Sequence, residues 1–439
     1  MAEVIVIGGG LAGLAATAAL AGAGHHVRLL EARPFLGGRA TSYEVGGADG
    51  AETIDNCQHI LLRCCVNLLD FYKRLGVENE IEFHREFVFL EPGGRASVLR
   101  AGLIPAPLHF TGAFAGLRFL NLGEKVAVAR AIRAIGRDAK RTDLDSFTMQ
   151  QWLEKQRQPK RAIERFWRQV LVSAINEELD RMSAVHGFQV FRLGFLARAD
   201  SYQMGVPAVP LGQLYRSEAW ERLGNVEIRT RAAVDRIQVA DGAVTGVVLA
   251  GETLRADAYV LAVPFERVLA LAPELKLDFS KFDHSPITGI HLWFDRRITN
   301  LPHATLLDRT IQWMFNKSEG RYVQLVVSAS RSLVEMPRQE VIDLAMCELA
   351  EFFPAVREAK LEKAHVVKEI RATFSAKPGL EKLRPAARTA IRNLVLAGDW
   401  TRSGWPATME GAVRSGYLAA EAVADAAGAP SKFVIPDVA

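Results

Sequence analysis

The chain has 439 residues, 49% apolar and 24% charged, and shows no repeat or low-complexity period; this excludes a disordered or fibrous protein and predicts at least two domains sharing a cleft. A net charge of +4 is mildly basic, with Lys and Arg scattered rather than gathered in a block, which argues against nucleic acid and leaves room for attraction to anionic lipid headgroups. There is no apolar run of about eighteen residues or more, Met1-Ala2-Glu3 lacks the charged start of a signal peptide, and four cysteines without CxxC spacing suit a reducing compartment, so the expected location is cytoplasmic, with optional peripheral contact to the inner face of the cell membrane.

In chain order, Val4-Ile5-Val6-Ile7 has no polar face, as a parallel strand covered on both sides requires. It runs into Gly8-Gly9-Gly10-Leu11-Ala12-Gly13. Gly8, Gly10 and Gly13 fill the G-x-G-x-x-G positions, permitting a tight bend, close approach of backbone to a pyrophosphate, and close packing of helix on strand. An Ala- and Leu-rich helix is predicted from Leu14 to Ala23, its N-terminus presenting free N–H groups and a positive dipole end to phosphates. A second strand, His26 to Leu30, ends in Glu31, a carboxylate placed to accept hydrogen bonds from ribose hydroxyls. Strand, glycines, helix, strand and terminal acid in register predict a dinucleotide site.

Directly after Glu31 and Ala32 comes Arg33-Pro34-Phe35-Leu36-Gly37-Gly38-Arg39-Ala40, two arginines around a glycine pair that can fold back over a pyrophosphate. This stretch resembles the R-x-x-x-GGR segment of the flavin amine oxidase and phytoene desaturase superfamily. The resemblance implies FAD rather than NAD as cofactor.

Farther along, Ile54-Asp55-Asn56-Cys57-Gln58-His59 precedes a helix predicted over Ile60 to Leu75. Leu61, Cys64, Cys65, Leu68, Leu69 and Tyr72 share one face of it, so the cysteines read as core and no metal site is expected. Asp55 reads as a turn or cap residue before that helix. The segment from Ala101 to Leu122 is apolar, broken by Pro105 and Pro107, and framed by Arg95, Arg100 and Arg118. It suits either a lipid tunnel or membrane-surface element, or a buried core connection. Trp152, Arg165, Trp167 and Arg168 fit an amphipathic helix and need no further role. Strands are predicted at Val226 to Arg236, Val244 to Ala250 and Tyr259 to Pro264, then at Asn393 to Gly398, closed by Asp399. Thr408-Met409-Glu410-Gly411-Ala412 opens a final helix running to about Ala427.

The same superfamily resemblance implies that Gly398 and Asp399 meet the ribityl and phosphate region, that Thr408, Met409 and Ala412 face the flavin, and that the backbone at Val234 meets adenine. It further implies an α/β architecture: a Rossmann-like FAD-binding domain assembled from residues 1–75, 205–265 and 385–439, with an inserted α+β substrate domain from 76–204 and 266–384. No second G-x-G-x-x-G follows a strand, so a separate NAD(P)H domain is not expected, and the external electron donor or acceptor is not identified by the sequence.

Thr408 stands where amine oxidases of this fold place an aromatic wall, which disfavours amine oxidation, although Trp405 is near. Taken together, Asp55-Asn56-Cys57-Gln58-His59, Pro105-Ala106-Pro107-Leu108-His109 and Gly398-Asp399-Trp400-Thr401 with Trp405 to Glu410 resemble the squalene-associated FAD-dependent desaturases, or hydroxysqualene dehydroxylases; Cys57 replaces a glycine of that pattern. That resemblance implies an isoprenoid lipid substrate, with Gln58, His59, Pro107 and Trp405 against it, and His59 or Asp55 as the acid for a departing hydroxyl. A carotenoid-type desaturase and a flavin-free prenyl-binding escort protein of the same fold are the competing readings.

Overall fold

The apolar stretch Val4–Ile7 is buried on both faces, and its strand, Glu3–Ile7, pairs in parallel with His26–Leu30 on one side and Ala258–Leu261 on the other. Val226–Arg229 and Leu394–Leu396 complete a five-stranded parallel sheet whose strands come from both ends and the middle of the chain. The computed structural model describes residues 1–47 and 50–438. Side chains alternate along a strand, so Val4 and Val6 face one layer and Ile5 and Ile7 the opposite one. The first layer is helical: Leu11–Gly22 and the C-terminal helix Met409–Ala426 pack over Val4, Val6, Val27, Val260 and Val395. The second is an antiparallel sheet of Val234–Ala240, Ala243–Leu249 and Glu252–Leu254, whose Ile237 and Val247 share a core with Ile5 and Ile7.

The rest of the chain is built on a seven-stranded sheet in the order Leu361–Phe374, His284–Phe294, Tyr322–Ser328, Trp313–Ser318, His303–Leu306, Phe87–Leu90, Ala96–Leu99. One face packs Ile290, Leu292 and Leu325 under the helix Arg338–Phe352. The other sets Phe87, Phe89, Trp313 and Phe315 against a helical layer that contributes Trp152, Phe166, Trp167 and Phe191.

Three sequence expectations change. The helix predicted from Ile60 begins only at Val66; Leu61–Leu62 instead forms a strand paired with Met204–Gly205. The apolar residues between Leu61 and Cys65 are too few to separate the two states by spacing, and the backbone partners at residues 204–205 decide it. Consequently Asp55 caps no helix but ends the strand Gly50–Asp55, paired with Ser42–Gly47. The stretch from Val226 to Arg236 is two strands, not one: Val226–Arg229 joins the parallel sheet, while Val234 opens the antiparallel one opposite Leu249. Finally, the segment from Ala101 to Leu122 divides, with His109, Leu117, Phe119 and Leu120 buried and Leu103, Ile104 and Leu108 exposed.

Candidate functional site

The glycine loop is held by close approach. At Gly13 a Cβ would lie 1.9 Å from the Gly8 carbonyl oxygen, so only glycine lets the first turn of the helix sit against the strand end. That helix starts at Leu11 with Gly10 as N-cap; it has no side-chain cap and no acid in its first turn, leaving its N–H groups open to an anion. Leu11 and Ala12, in its first turn, are buried. Glu31 is buried at the end of its strand, its two carboxylate oxygens accepting the N–H of Gly9 (2.6 Å) and of Arg33 (2.7 Å). Each oxygen retains a lone pair for a ribose hydroxyl.

The second glycine pair folds onto the first: Gly37 N donates to Gly9 O at 2.8 Å, and Ala40 N donates to Gly37 O. Ala32 and Arg33 are exposed, with the Arg33 guanidinium over the Phe35 ring. Arg39 then ties both ends of the chain together, its guanidinium donating to Asp399 at 2.8 Å and to the Ala372 carbonyl at 2.7 Å. From the C-terminal side, Gly398 N donates to Ser415 Oγ, which fixes the strand end to the final helix. Thr408 is the N-cap of that helix, accepting from Gly411 N at 3.0 Å, with Met409 and Ala412 half-buried on its first turn. At Gly416 a Cβ would lie 2.2 Å from the Ala12 carbonyl oxygen, so this helix crosses the fingerprint helix at backbone contact. An uncapped helix start, a carboxylate at the second strand end, and two interlocked glycine loops beside an Arg39–Asp399 pair fit a dinucleotide flavin. Val234 lies two residues beyond the backbone that meets Glu31: Ala232 N donates to Glu31 O and Arg231 N to Arg33 O.

An apolar cavity of about 160 Å³ adjoins the start of the C-terminal helix. It is bordered by Trp405, Pro406, Thr408 and Met409, by Cys64, Cys65 and Leu68, and by Phe87, Phe195 and Trp313. Trp405 keeps its indole N–H satisfied on Asp437 at 3.0 Å. The cysteines expected as core thus border a void. Burial pushes the Cys57 thiol up to about 12, leaving it unreactive at neutral pH.

The two residues expected to act as acids are placed differently. Asp55 is buried with both oxygens engaged, accepting from Ser42 Oγ (2.8 Å), Leu211 N (2.9 Å) and Lys317 Nζ (3.1 Å). Both oxygens are thus committed to donors of the fold, and Asp55 does not border the cavity. His59 lies beside it, with Nδ1 2.9 Å from the Cys57 carbonyl; since a carbonyl only accepts, Nδ1 carries the proton and Nε2 is an acceptor. Burial is the largest influence on its pKa and lowers it, while the Nδ1 proton is held by the Cys57 carbonyl. Gln58 is buried and accepts from Lys317 Nζ at 3.0 Å. Neither Gln58 nor His59 borders the apolar cavity, whereas their neighbours Ile60 and Leu61 do. Pro107 is exposed on a loop and does not line it either, because the chain turns outward between Gly102 and His109.

Three residues escaped the sequence reading. Lys317 reaches Asp55 and Gln58 from a strand distant in sequence and carried no motif. Arg384 is buried and donates to the carbonyls of Asp399 and Thr401, bracing the segment after the last strand. Glu410, fully buried, accepts from Asn67 N, Asn67 Nδ2 and Leu68 N, and so caps the helix Val66–Leu75 from across the fold. Its position inside Thr408 to Ala412 was a usable signal.

Comparison with known proteins agrees with this geometry. The chain is 29% identical to a 15-cis-phytoene desaturase of an Oncidium hybrid cultivar, over 96% of this chain and 77% of that protein. It is 25% identical to the 15-cis-phytoene desaturase of Synechococcus elongatus, over 96% and 95%. Its fold matches an oxidoreductase from Methanosarcina mazei with a TM-score of 0.72 at 18% identity, covering 94% of this chain and 98% of that one. The model of the family described as flavin containing amine oxidoreductase matches residues 11–424, so the chain belongs to that family and is an FAD-dependent oxidoreductase.

Proposed function

We propose that the protein acts on a long isoprenoid, and that its reaction is the reductive removal of the allylic hydroxyl of hydroxysqualene to give squalene. The observation that carries the substrate class is the cavity: a hydrocarbon chain bordered by Leu68, Phe87, Leu99, Phe195, Trp313 and Trp405 exchanges water for apolar contact along its length. The flavin, when bound and reduced, supplies the hydride. In this reading Gly8, Gly10, Gly13 and the Leu11–Gly22 helix start hold the pyrophosphate, Glu31 the ribose, and Arg39 with Asp399 the join between the two cofactor segments. Thr408 and Met409 bring the cavity to the start of the C-terminal helix, whose positive end favours negative charge on a neighbouring ring system. With Asp55 held by Ser42, Leu211 and Lys317 and the His59 Nδ1 proton committed to the Cys57 carbonyl, the aromatic faces of Phe87, Phe195 and Trp313 shield allylic cation character while the hydroxyl departs as hydroxide and takes its proton from solvent.

Incubating the pre-reduced protein with hydroxysqualene without oxygen should form squalene and oxidise the flavin in equal amounts. Reduced flavin that persists with no squalene sinks this reaction. A second reading, desaturation of a carotenoid precursor, is favoured by the phytoene desaturases among the relatives and uses the same cavity in the opposite redox direction. Oxidised protein given phytoene without oxygen or another acceptor tests it: flavin reduction there, with none of the first activity, selects the desaturase.

A further inference from the structure

The loop after the strand Ala96–Leu99 carries its large apolar side chains outward. Leu103 is fully exposed, Leu108 is 61% exposed and Ile104 50%. Gly102 N donates to the His109 carbonyl at 2.7 Å, and Ala101 N donates to the Tyr202 hydroxyl at 2.8 Å, so the loop is closed at its base and anchored. The next helix, Leu122–Asp138, buries Ala127, Val128, Ala131 and Ile135 on one face. Its opposite stripe runs Leu122, Val126, Arg130, Arg133, Arg137 at helical spacing, with Leu122 78% and Val126 50% exposed. Lys125 Nζ donates to the Ala115 carbonyl at 2.6 Å and so joins this helix to the segment that follows the loop.

Charge is arranged to match. Residues 98–137 contain six basic side chains (Arg100, Arg118, Lys125, Arg130, Arg133, Arg137) and one acid, a net of +5 where the whole chain carries +4. The acid, Glu124, is buried in the helix's own capping box. The positive excess of the molecule therefore sits around its most exposed leucines, contrary to the scattered distribution that the sequence suggested. Glu86 pairs with Arg100 at 2.9 Å and Asp138 with Arg137 at 3.0 Å, which leaves Arg118, Lys125, Arg130 and Arg133 as the cations of the face. Nucleic acid or an acidic protein would match the cations but leave Leu103, Leu108 and Leu122 without an apolar partner; an anionic bilayer satisfies both.

We infer that this loop and helix dock the protein on the surface of an anionic membrane. The docked face is continuous with the cavity: Phe110, on the inner side of the same loop, meets the rings of Tyr202 (4.7 Å) and Phe195 (6.0 Å), and Phe195 and Leu99 border the cavity. A lipid leaving the bilayer at Leu103 and Leu108 has an apolar path toward the site. That entry role rests on the isoprenoid reading, whereas the docking does not.

The experiment is sedimentation of the FAD-loaded full chain with phosphatidylcholine vesicles, with and without phosphatidylglycerol. The expected result is binding to the anionic vesicles that weakens in high salt. The pair Leu103→Asp and Leu122→Asp should lower partitioning by about tenfold or more with the flavin spectrum unchanged, since both side chains stand in solvent. Arg118→Glu with Arg130→Glu should lower it by about fivefold or more per site. Failure of the wild type to sediment with anionic vesicles overturns the proposal, as does binding that both variants retain. Loss in the charge variant alone, with the leucine variant binding normally, shows adsorption by charge without the leucines entering the bilayer and also overturns it. Vesicle binding is read without turnover, so a protein that binds vesicles but leaves hydroxysqualene unreacted refutes the reaction and spares the docking surface.

Discussion

Lys317 reaches Asp55 across two parts of the chain far apart in sequence, and the pair is nearly closed to solvent, with side chains 19% and 2% exposed. Removing one partner of such a pair leaves the other buried and uncompensated. Lys317→Met should therefore cost about 3–5 kcal/mol in a urea titration, and adding Asp55→Asn should recover part of that loss; an effect near zero would show that water screens the pair. At Gly13 the issue is space. A Cβ would stand 1.9 Å from the Gly8 carbonyl, so Gly13→Val should purify without the visible flavin band, and a variant that retains it would contradict the placement of the cofactor. The glycine spacing that carries this prediction is legible in the amino-acid sequence alone. Lys317 is not, because an isolated lysine in a strand has no local pattern to mark it.

Among elements, the C-terminal helix does several things at once. Thr408 caps it, Gly416 lets it cross the fingerprint helix at backbone contact, and Glu410 caps the separate helix Val66–Leu75. Thr408→Ala should cost about 1 kcal/mol, with Thr408→Ser close to neutral, as judged from denaturation midpoints. A larger loss would mean that Thr408 also supports the cavity wall. Sequence reading found both ends of this helix nearly to the residue, because cap and small-residue stripe are local signals. It misplaced the start of the earlier helix by several residues, because Leu61–Leu62 pairs with Met204–Gly205 and the first turn after it is capped by Glu410, both far away along the chain.

For the whole molecule, acid sensitivity follows from buried imidazoles. Burial lowers His186 and His291 to about 3 and His303 to about 4, from an ordinary value of 6.5. Below the ordinary value each is protonated in the unfolded chain and neutral in the folded one. Stability is therefore full above it and is lost as pH falls toward the folded values. Glu410 has the opposite sign: burial raises it from 4.5 to about 7, so the folded chain holds a proton there that the unfolded chain has released, and stability falls as pH rises across that interval. Near pH 5 to 6 three protons taken up against one released leave a net uptake of about two on unfolding, so stability should rise by about 2–3 kcal/mol per pH unit. Glu410→Gln should steepen that slope by about one proton. Urea titrations at several pH values measure both; a flat profile would contradict the buried neutral histidines.

A dinucleotide site and the parallel strands around it were legible along the chain, because a strand, a glycine loop, a helix start and a terminal carboxylate interact within a few dozen residues and leave a periodic trace; FAD in particular was implied by the resemblance that residues 33–40 carry. It also marked Gly398, Asp399 and the Thr408 helix start as the distant half of the same site. Folding set Asp55 against Lys317 and the Nδ1 of His59 against the Cys57 carbonyl, and it left Leu103, Leu108 and Leu122 in solvent. Those properties depend on desolvation and on partners brought together by folding, and neither is a function of spacing along the chain.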